Sequence, residues 1–106
     1  ADIETINGKI AFTKATPYTI YRKEDLARTA DTLLFFNNIE ASFVVGKIGK
    51  DTIGVSARSL GNYDISKIMT KLGGGGTPQQ GAAKFEKTTI SKVEQDVKKI
   101  IKEMGE

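Results

Sequence analysis

The chain has 106 residues, of which 39% are hydrophobic and 27% are charged, a size and composition typical of one globular domain. It contains no cysteine and no histidine, which excludes disulfides, thiolate metal sites, a cysteine nucleophile and the usual general base at neutral pH. The formal charge of +3 favours an anionic ligand but is too small for a surface that coats nucleic acid. No apolar run in the sequence approaches about 18 residues, the length that a membrane span requires.

The first third of the chain predicts one strand and one helix. Residues 1–8 are polar and weakly patterned, and we interpret them as the tail of an inter-domain linker, with residues 9–106 forming a single domain. Apolar and smaller residues alternate over residues 9–16, which predicts a strand that Pro17 ends. Residues 22–36 carry leucines and an alanine at helical spacing, which predicts an amphipathic helix.

A β-hairpin is the strongest local signal in the chain. Residues 39–48 and 52–60 are rich in strand-forming residues and are separated by Gly49, Lys50 and Asp51. Turn-forming residues of this kind between two apolar runs are typical of antiparallel strands joined by a short loop.

The second half of the chain predicts two helices and one strand. Asp64 is a candidate N-cap for a short helix that ends near Leu72, and residues 81–85 predict a strand of small residues. The last helix begins at Thr89 or, with a capping box, at Ser91. This order of elements predicts an α/β fold in which a mixed sheet of four to five strands packs with three helices.

The run of Gly73, Gly74, Gly75 and Gly76 follows the second predicted helix. One interpretation is a flexible link, but connections in compact α/β units seldom need four glycines. The alternative is a bare main-chain surface that an anion or a flat base approaches closely. The run lacks the lysine and hydroxyl residue that end a phosphate-binding Walker loop.

Ser56, Arg58 and Ser59 lie near the end of the second hairpin strand. A guanidinium matches the geometry of a phosphate, and the flanking hydroxyls would add hydrogen bonds to the same anion. The alternative interpretation is a solvent-exposed strand end with an incidental arginine. Since the next helix leads directly into the glycines, Arg58 and the glycine run are predicted to share one rim.

Four segments, which together cover most of the chain, carry a resemblance to a known family. They are ADTLL at residues 30–34, IEASFVV at 39–45, IGVSARSLGNYDISKIMTKLGGGG at 53–76 and GAAKF at 81–85. These segments resemble the DHH-associated domain of DHH-family phosphoesterases. Within that family, they are most similar to the C-terminal domain of membrane-anchored bacterial cyclic-di-AMP phosphodiesterases.

The resemblance implies that the catalytic metals, usually two manganese ions, are bound by a separate N-terminal DHH domain, with no catalytic residue or metal ligand on this chain. It also implies that Arg58 and Ser59 contact phosphate and that the glycines form a loop facing the substrate. Thr77 stands where the family loop has histidine. The substrate-binding candidates are Ser56, Arg58, Ser59, Gly73, Gly74, Gly75, Gly76 and Thr77.

These observations lead to one main hypothesis and two alternatives. The main hypothesis is a substrate-binding domain of a metal-dependent phosphodiesterase that hydrolyses cyclic-di-AMP, inactive when isolated from its DHH domain. The alternatives are a DHH oligoribonuclease that degrades short RNA or linear dinucleotides, and a non-catalytic module that binds nucleotides or nucleic acid. The expected location is the cytoplasm, without direct membrane contact by this domain, in a parent protein anchored by helices further upstream.

Overall fold

A computed structural model describes the backbone of residues 2–105 and the side chains of residues 2–103. Ala1 and Glu106, the outer ends of the two predicted segments, lie outside the described residues. The elements in chain order are β1 (Ile3–Ile6), β2 (Ile10–Lys14), α1 (Lys23–Leu33), β3 (Ala41–Lys47), β4 (Thr52–Ser59), α2 (Ile65–Lys71), β5 (Gly75–Gly76), β6 (Gln80–Glu86) and α3 (Ile90–Gly105).

The strands form one mixed sheet in the order β1-β2-β3-β4-β6-β5. β2 and β3 are parallel, with α1 as the connection between them, and the other neighbouring pairs are antiparallel. The predicted α/β class, single domain, mixed sheet and three helices are therefore confirmed. The sheet has six strands instead of the four to five predicted, because two short strands complete its edges.

Each face of the sheet has its own hydrophobic core, since successive side chains of a strand point to opposite faces. On one face, Phe12, Phe43 and Val55 pack with α2 and α3. On the other face, Ala11 and Val44 pack with the apolar side of α1. The result is a three-layer arrangement with one helix on one side and two on the other.

β1 was not predicted from the sequence, which assigned its residues to a linker. Its four residues pair with β2 from Ile3 opposite Thr13 to Ile6 opposite Ile10. The strand is also tied to α3, because Glu4 accepts a hydrogen bond from Lys98 at 2.7 Å. The contact with α3 joins residues distant in sequence, but the pairing with β2 is local. Asn7 and Gly8, both with positive φ, lie in the turn between the two strands, and this Asn-Gly pair is a hairpin signal that the sequence analysis did not use. That the first eight residues lead to a preceding domain stays a prediction.

Local signals set the other boundaries. The β3–β4 hairpin is present, with the main-chain N of Ile48 donating to the carbonyl O of Thr52 at 2.9 Å. Asp64 caps α2 by accepting from the main-chain N of Ser66 at 3.0 Å. For α3, the structure selects the first of the two predicted starts, because Thr89 Oγ1 accepts from the main-chain N of Lys92 at 3.2 Å.

Candidate functional site

The end of β4 separates the two residues that were expected to contact phosphate. Arg58 points to the α1 side of the sheet, together with Ser56, and Ser59 points to the other side. The Ser59 hydroxyl accepts from the main-chain N of Gly61 at 2.9 Å and of Tyr63 at 3.3 Å. Ser59 thus holds the loop between β4 and α2, whereas Arg58 is left to face α1.

The Arg58 side chain is only 16% exposed. Its Nε donates to Oδ1 of Asp31 on α1 at 2.7 Å, and its Nη1 donates to the carbonyl O of Ala57 at 2.9 Å. A guanidinium has five N–H groups, and within residues 2–105 these are the two hydrogen bonds that Arg58 donates. Three N–H groups on its terminal nitrogens are therefore available to a ligand.

The first two glycines of the run end α2 in a Schellman motif. The main-chain N of Gly73 donates to the carbonyl O of Thr70 at 3.0 Å, and that of Gly74 donates to the carbonyl O of Met69 at 2.8 Å. Gly73 has φ of +85°, which favours glycine. Gly74 lies so close to β6 that a Cβ atom there would be 2.7 Å from Cα of Ala83.

The last two glycines form the edge strand β5, and Thr77 begins the turn back into β6. Gly76 has φ of +155° and pairs with Gly81. The main-chain N of Thr77 donates to the carbonyl O of Gln80 at 2.7 Å, and Thr77 Oγ1 accepts from the main-chain N of Gln80 at 3.3 Å. The run is thus an ordered sheet edge, not a flexible link.

Two adjoining depressions lie between this edge and the first turns of α1, and we call them together the glycine-edge groove. One, of about 370 Å³, includes Arg58, Gly76 and Thr77 in its lining. The other, of about 310 Å³, includes Gly73 and Gly74. The side chains shared by both are Lys23, Ser56 and Ala82.

The groove therefore brings together six of the eight predicted residues. Ser59 and Gly75 are not in its lining. A Cβ atom at Gly75 would meet nothing within 4 Å, so this residue is on the open outer side of β5. A larger depression of about 840 Å³ lies beside β1 and β2, but none of the eight predicted residues lines it.

Four charged residues of the site were missed by the sequence analysis. Lys23 lines both depressions of the groove, Glu24 lines the one that contains Arg58, and Lys84 lines the other. Asp31 pairs with Arg58. Three of them, Lys23, Glu24 and Asp31, lie on α1, where the sequence analysis considered only the apolar residues at helical spacing. Asp31 is 27 residues from Arg58 in sequence. The contact between them could not be predicted without knowing that α1 packs on the face of the sheet to which Arg58 points.

The acidic residue nearest in sequence to the start of α2 has a structural role. Asp64 starts the helix that leads into the glycines, and the hydrogen bond from the Ser66 side chain holds the pKa of its carboxyl below the ordinary value, so it caps α2 as an anion. In the part of the chain that the structure describes, no three acidic side chains lie close enough together to hold a metal ion. The metals implied by the resemblance therefore do not fit the residues of this chain.

Comparison with known proteins shows that the chain is similar to one short part of several larger proteins. Residues 7–106 match the DHHA1 domain model. The chain is 40% identical over 92 residues to cyclic-di-AMP phosphodiesterase GdpP of Geobacillus thermodenitrificans, covering 87% of this chain and 14% of that protein. It is 41% identical over 71 residues to cyclic-di-AMP phosphodiesterase PdeA of Listeria monocytogenes, covering 67% of this chain and 11% of that protein.

The fold is also found in a solved structure of an exopolyphosphatase-related protein from Bacteroides fragilis. The TM-score is 0.71 with 20% sequence identity, covering 99% of this chain and 33% of that chain. No helix within the described range is long and apolar enough to cross a membrane. The family match extends over nearly the whole sequence and agrees with the resemblance seen in its motifs, and the chain belongs to the DHHA1 domain family.

Proposed function

We propose that this chain is the substrate-binding domain of a metal-dependent phosphodiesterase that hydrolyses cyclic-di-AMP. The observation that carries the proposal is the position of Arg58, Gly76 and Thr77 in the lining of one depression, with Lys23 in the same lining. Its support from comparison is that two relatives about 40% identical to the chain are named cyclic-di-AMP phosphodiesterases.

The groove offers two kinds of group to a dinucleotide. The terminal nitrogens of Arg58 and the ammonium group of Lys23 provide positive charge for phosphate oxygens. The glycines at the other side provide a main-chain surface without side chains, which a phosphate or a flat base can approach closely. In this proposal the domain binds and orients the substrate, and its contribution to the rate is that of positioning.

The chemical step is assigned to another domain. The sequence has no histidine or cysteine, and the side chains described by the structure include no metal-binding cluster. We therefore propose that a DHH domain of the same parent chain supplies the metals, which activate water for attack on a phosphodiester. The isolated chain is expected to bind weakly and to be inactive, and a cytoplasmic location for the domain remains part of the proposal.

The test is the Arg58→Ala substitution in this domain joined to its DHH domain. We expect loss of about 2–5 kcal/mol in substrate or transition-state binding, the scale for removing one partner of a buried charged contact. Arg28→Ala is the matched control, since Arg28 is on α1, is 72% exposed and contacts Asp25 at 3.7 Å. Unchanged hydrolysis by Arg58→Ala would reject the groove as the substrate site.

Three ligands, tested in parallel, decide between the hypotheses: cyclic-di-AMP, its linear dinucleotide product and a short RNA. Faster hydrolysis of the linear dinucleotide or the RNA would replace the proposed activity with that of an oligoribonuclease. Binding of nucleotides at the groove with no hydrolysis in the joined protein would support the non-catalytic module. NMR titration of the 106-residue chain locates the site, and the proposal expects the largest amide shifts at Gly73, Gly74, Gly76 and Thr77, which line the groove.

A further inference from the structure

The contact between Arg58 and Asp31 restricts how the arginine can bind a ligand. A guanidinium can hold a phosphate with two parallel hydrogen bonds, either from Nε and one terminal nitrogen or from both terminal nitrogens. Asp31 already accepts from Nε at 2.7 Å. The side-on arrangement is therefore occupied by the protein's own carboxylate. The end-on arrangement remains, through Nη2 and the one N–H of Nη1 that does not donate to the carbonyl O of Ala57.

Asp31 itself is held at a defined position relative to the sheet. It follows Ala30, which is completely buried and whose carbonyl O accepts a hydrogen bond from the buried Ser42 hydroxyl on β3 at 2.7 Å. Leu33, on the same helix, is also buried against the sheet. These contacts fix the rotation of α1, so the Asp31 carboxylate has little freedom to follow the arginine elsewhere.

The two partners of the ion pair differ in exposure, and this difference bears on the role of the contact. The Asp31 side chain is 58% exposed, whereas that of Arg58 is 16% exposed. Pairs with one exposed partner contribute little to stability, so stabilisation of the fold is a weak explanation for the contact. Orientation of a largely buried guanidinium that keeps three free N–H groups at a groove is a stronger one.

We infer that Asp31 is a positioning residue, which holds Arg58 so that its two terminal nitrogens face an anionic ligand in the glycine-edge groove. The inference rests on the proposed function and adds the direction from which the phosphate is bound. Asp31 does not touch the ligand, because two anions in contact would repel each other. It acts through the hydrogen bond to Nε and the one fixed rotamer that this bond selects.

The sign of the effect separates positioning from simple electrostatics. Removal of a negative charge beside an anion site would relieve a Coulomb repulsion, and this effect alone would tighten the binding of cyclic-di-AMP. Loss of orientation would weaken it, because a misplaced binding group loses the geometry that its hydrogen bonds need. A weaker-binding Asp31→Ala variant would therefore be explained by orientation and not by charge.

The experiment measures KM and kcat for cyclic-di-AMP in the domain joined to its DHH domain. We expect Asp31→Ala to raise KM about 10-fold, the lower end of the cost of removing a group that orients a ligating side chain. Asp31→Asn keeps an oxygen acceptor for Nε and should recover most of that loss. The matched control is Asp96→Ala. Like Asp31, Asp96 forms an ion pair, in its case with Lys92 at 2.8 Å, but both residues lie on α3, on the other side of the sheet.

A spectroscopic measurement on the 106-residue chain reports the contact directly. The chain has three arginines, so its Nε–H signals in a ¹⁵N NMR spectrum are few and can be assigned by substitution. The Arg58 Nε–H signal should be protected from exchange with water in the parent chain and in Asp31→Asn, and should lose that protection in Asp31→Ala. Unchanged amide signals elsewhere would show that the variants are folded.

The outcomes keep the two proposals apart. If Arg58→Ala impairs hydrolysis but Asp31→Ala leaves KM unchanged or lowers it, the positioning role is rejected and the proposed function stands. An equal loss in Asp31→Ala and Asp31→Asn would also reject it, since the acceptor oxygen would then not matter. If Arg58→Ala itself has no effect, the proposed function fails first.

Discussion

The two edges of the sheet are both completed by short strands, and each has a partly buried cation beside it. At the β1 edge, Lys98 donates to Glu4 and to Glu94, both at 2.7 Å, and lies 4.9 Å from the ring centroid of Phe12. Towards the β5 edge, Arg58 has one carboxylate partner and one carbonyl partner. The fold satisfies the first cation almost fully and leaves the second with free donors beside a groove.

The two edge strands are held in place by different kinds of contact. Charges hold β1 in place, because a four-residue strand has few main-chain bonds and needs side-chain contacts with α3. Main-chain geometry holds β5 in place, through the Schellman motif and the close packing of glycine against β6. The cation near the β5 edge is therefore not needed to attach that strand and is available for binding.

The largest effect on the free energy of unfolding is expected from breaking the packing of the glycine edge. A methyl group at Gly74 would overlap the carbonyl O of Ala82 and lie 2.7 Å from Cα of Ala83. Overpacking of this kind costs typically 1–3 kcal/mol, and we expect Gly74→Ala to lower the free energy of unfolding by about 3 kcal/mol. The measurement is urea denaturation of the 106-residue chain.

Gly75→Ala is the control for that experiment. The same methyl group would meet nothing within 4 Å there, and surface substitutions usually change stability by about 0.5 kcal/mol or less. Equal destabilisation by the two substitutions would contradict the view that packing against β6 is what requires glycine in this run.

Replacing each of the two cations by methionine, in separate variants, would sharpen the comparison between the edges. Lys98→Met removes the partner of two carboxylates, one of which, on Glu94, is only 17% exposed. We expect a loss of about 1–2 kcal/mol in stability, between the values for exposed and buried ion pairs, with ligand binding unchanged. Arg58→Met should show the reverse: reduced binding of cyclic-di-AMP and less than about 1 kcal/mol of destabilisation, because its partner Asp31 is mostly exposed.

Substitution of Thr77 by the residue usual in the family tests whether the groove side of the β5 edge faces substrate. Thr77→His retains the main-chain hydrogen bond to Gln80 and places an imidazole in the groove lining. We expect tighter binding of cyclic-di-AMP by about 1 kcal/mol, the net value of one added hydrogen bond. Thr77→Gln serves as the control for size without an imidazole, and no gain with histidine would indicate that position 77 serves only the turn.

The smallest expected effect is a pH dependence of stability that belongs to the β1 edge. Hydrogen bonds from Lys98 and then Lys14 hold the pKa of Glu94 below its ordinary value of 4.5, against the opposing effect of burial. The unfolded chain therefore takes up a proton at Glu94 more readily than the folded chain. The stabilisation is complete above pH 4.5 and is lost as the pH falls through the lower pKa of the folded state.

We expect this loss to be about 1 kcal/mol or less, as for other ion pairs near the surface. Other carboxyls with lowered pKa, on Asp25, Asp64 and Glu86, add to the total decline in acid. The measurement is therefore the difference between the parent chain and Lys98→Met in urea midpoints from pH 7 to pH 3. Parallel curves for the two proteins would contradict the assignment to Glu94.

The elements that sequence analysis predicted well are those whose signals are local. α1 and α2 have apolar residues at helical spacing, and the β3–β4 hairpin has a turn between two apolar runs. The two short edge strands were missed, because β1 was assigned to a linker in spite of the Asn7-Gly8 turn that follows it, and because β5 consists of two glycines. The two glycines of β5 give no strand signal and are extended because they pair with β6, whereas Ile3, Thr5 and Ile6 of β1 are residue types that favour strands.

The candidate site divides in the same way. The sequence predicted that Arg58 and the glycine run would share one rim, and the structure places Arg58 and Gly76 in one groove lining. Their role in binding remains a proposal. Ser59 was grouped with Arg58 because they are neighbours in sequence, but the alternation of a strand sends them to opposite faces. Asp31 and Lys23 were missed because α1 reaches the groove only after it packs on the sheet.

The amino-acid sequence by itself determined the fold class, the main helices and hairpin, and the family, because periodicity, turn residues and motifs are properties of neighbouring residues. Tertiary structure alone decided that the glycines are an ordered edge, that Ser59 supports a loop, and that Asp31 accepts a hydrogen bond from Nε of Arg58. These features depend on contacts between main-chain groups or between residues far apart in sequence, which exist only once the sheet and its helices have packed.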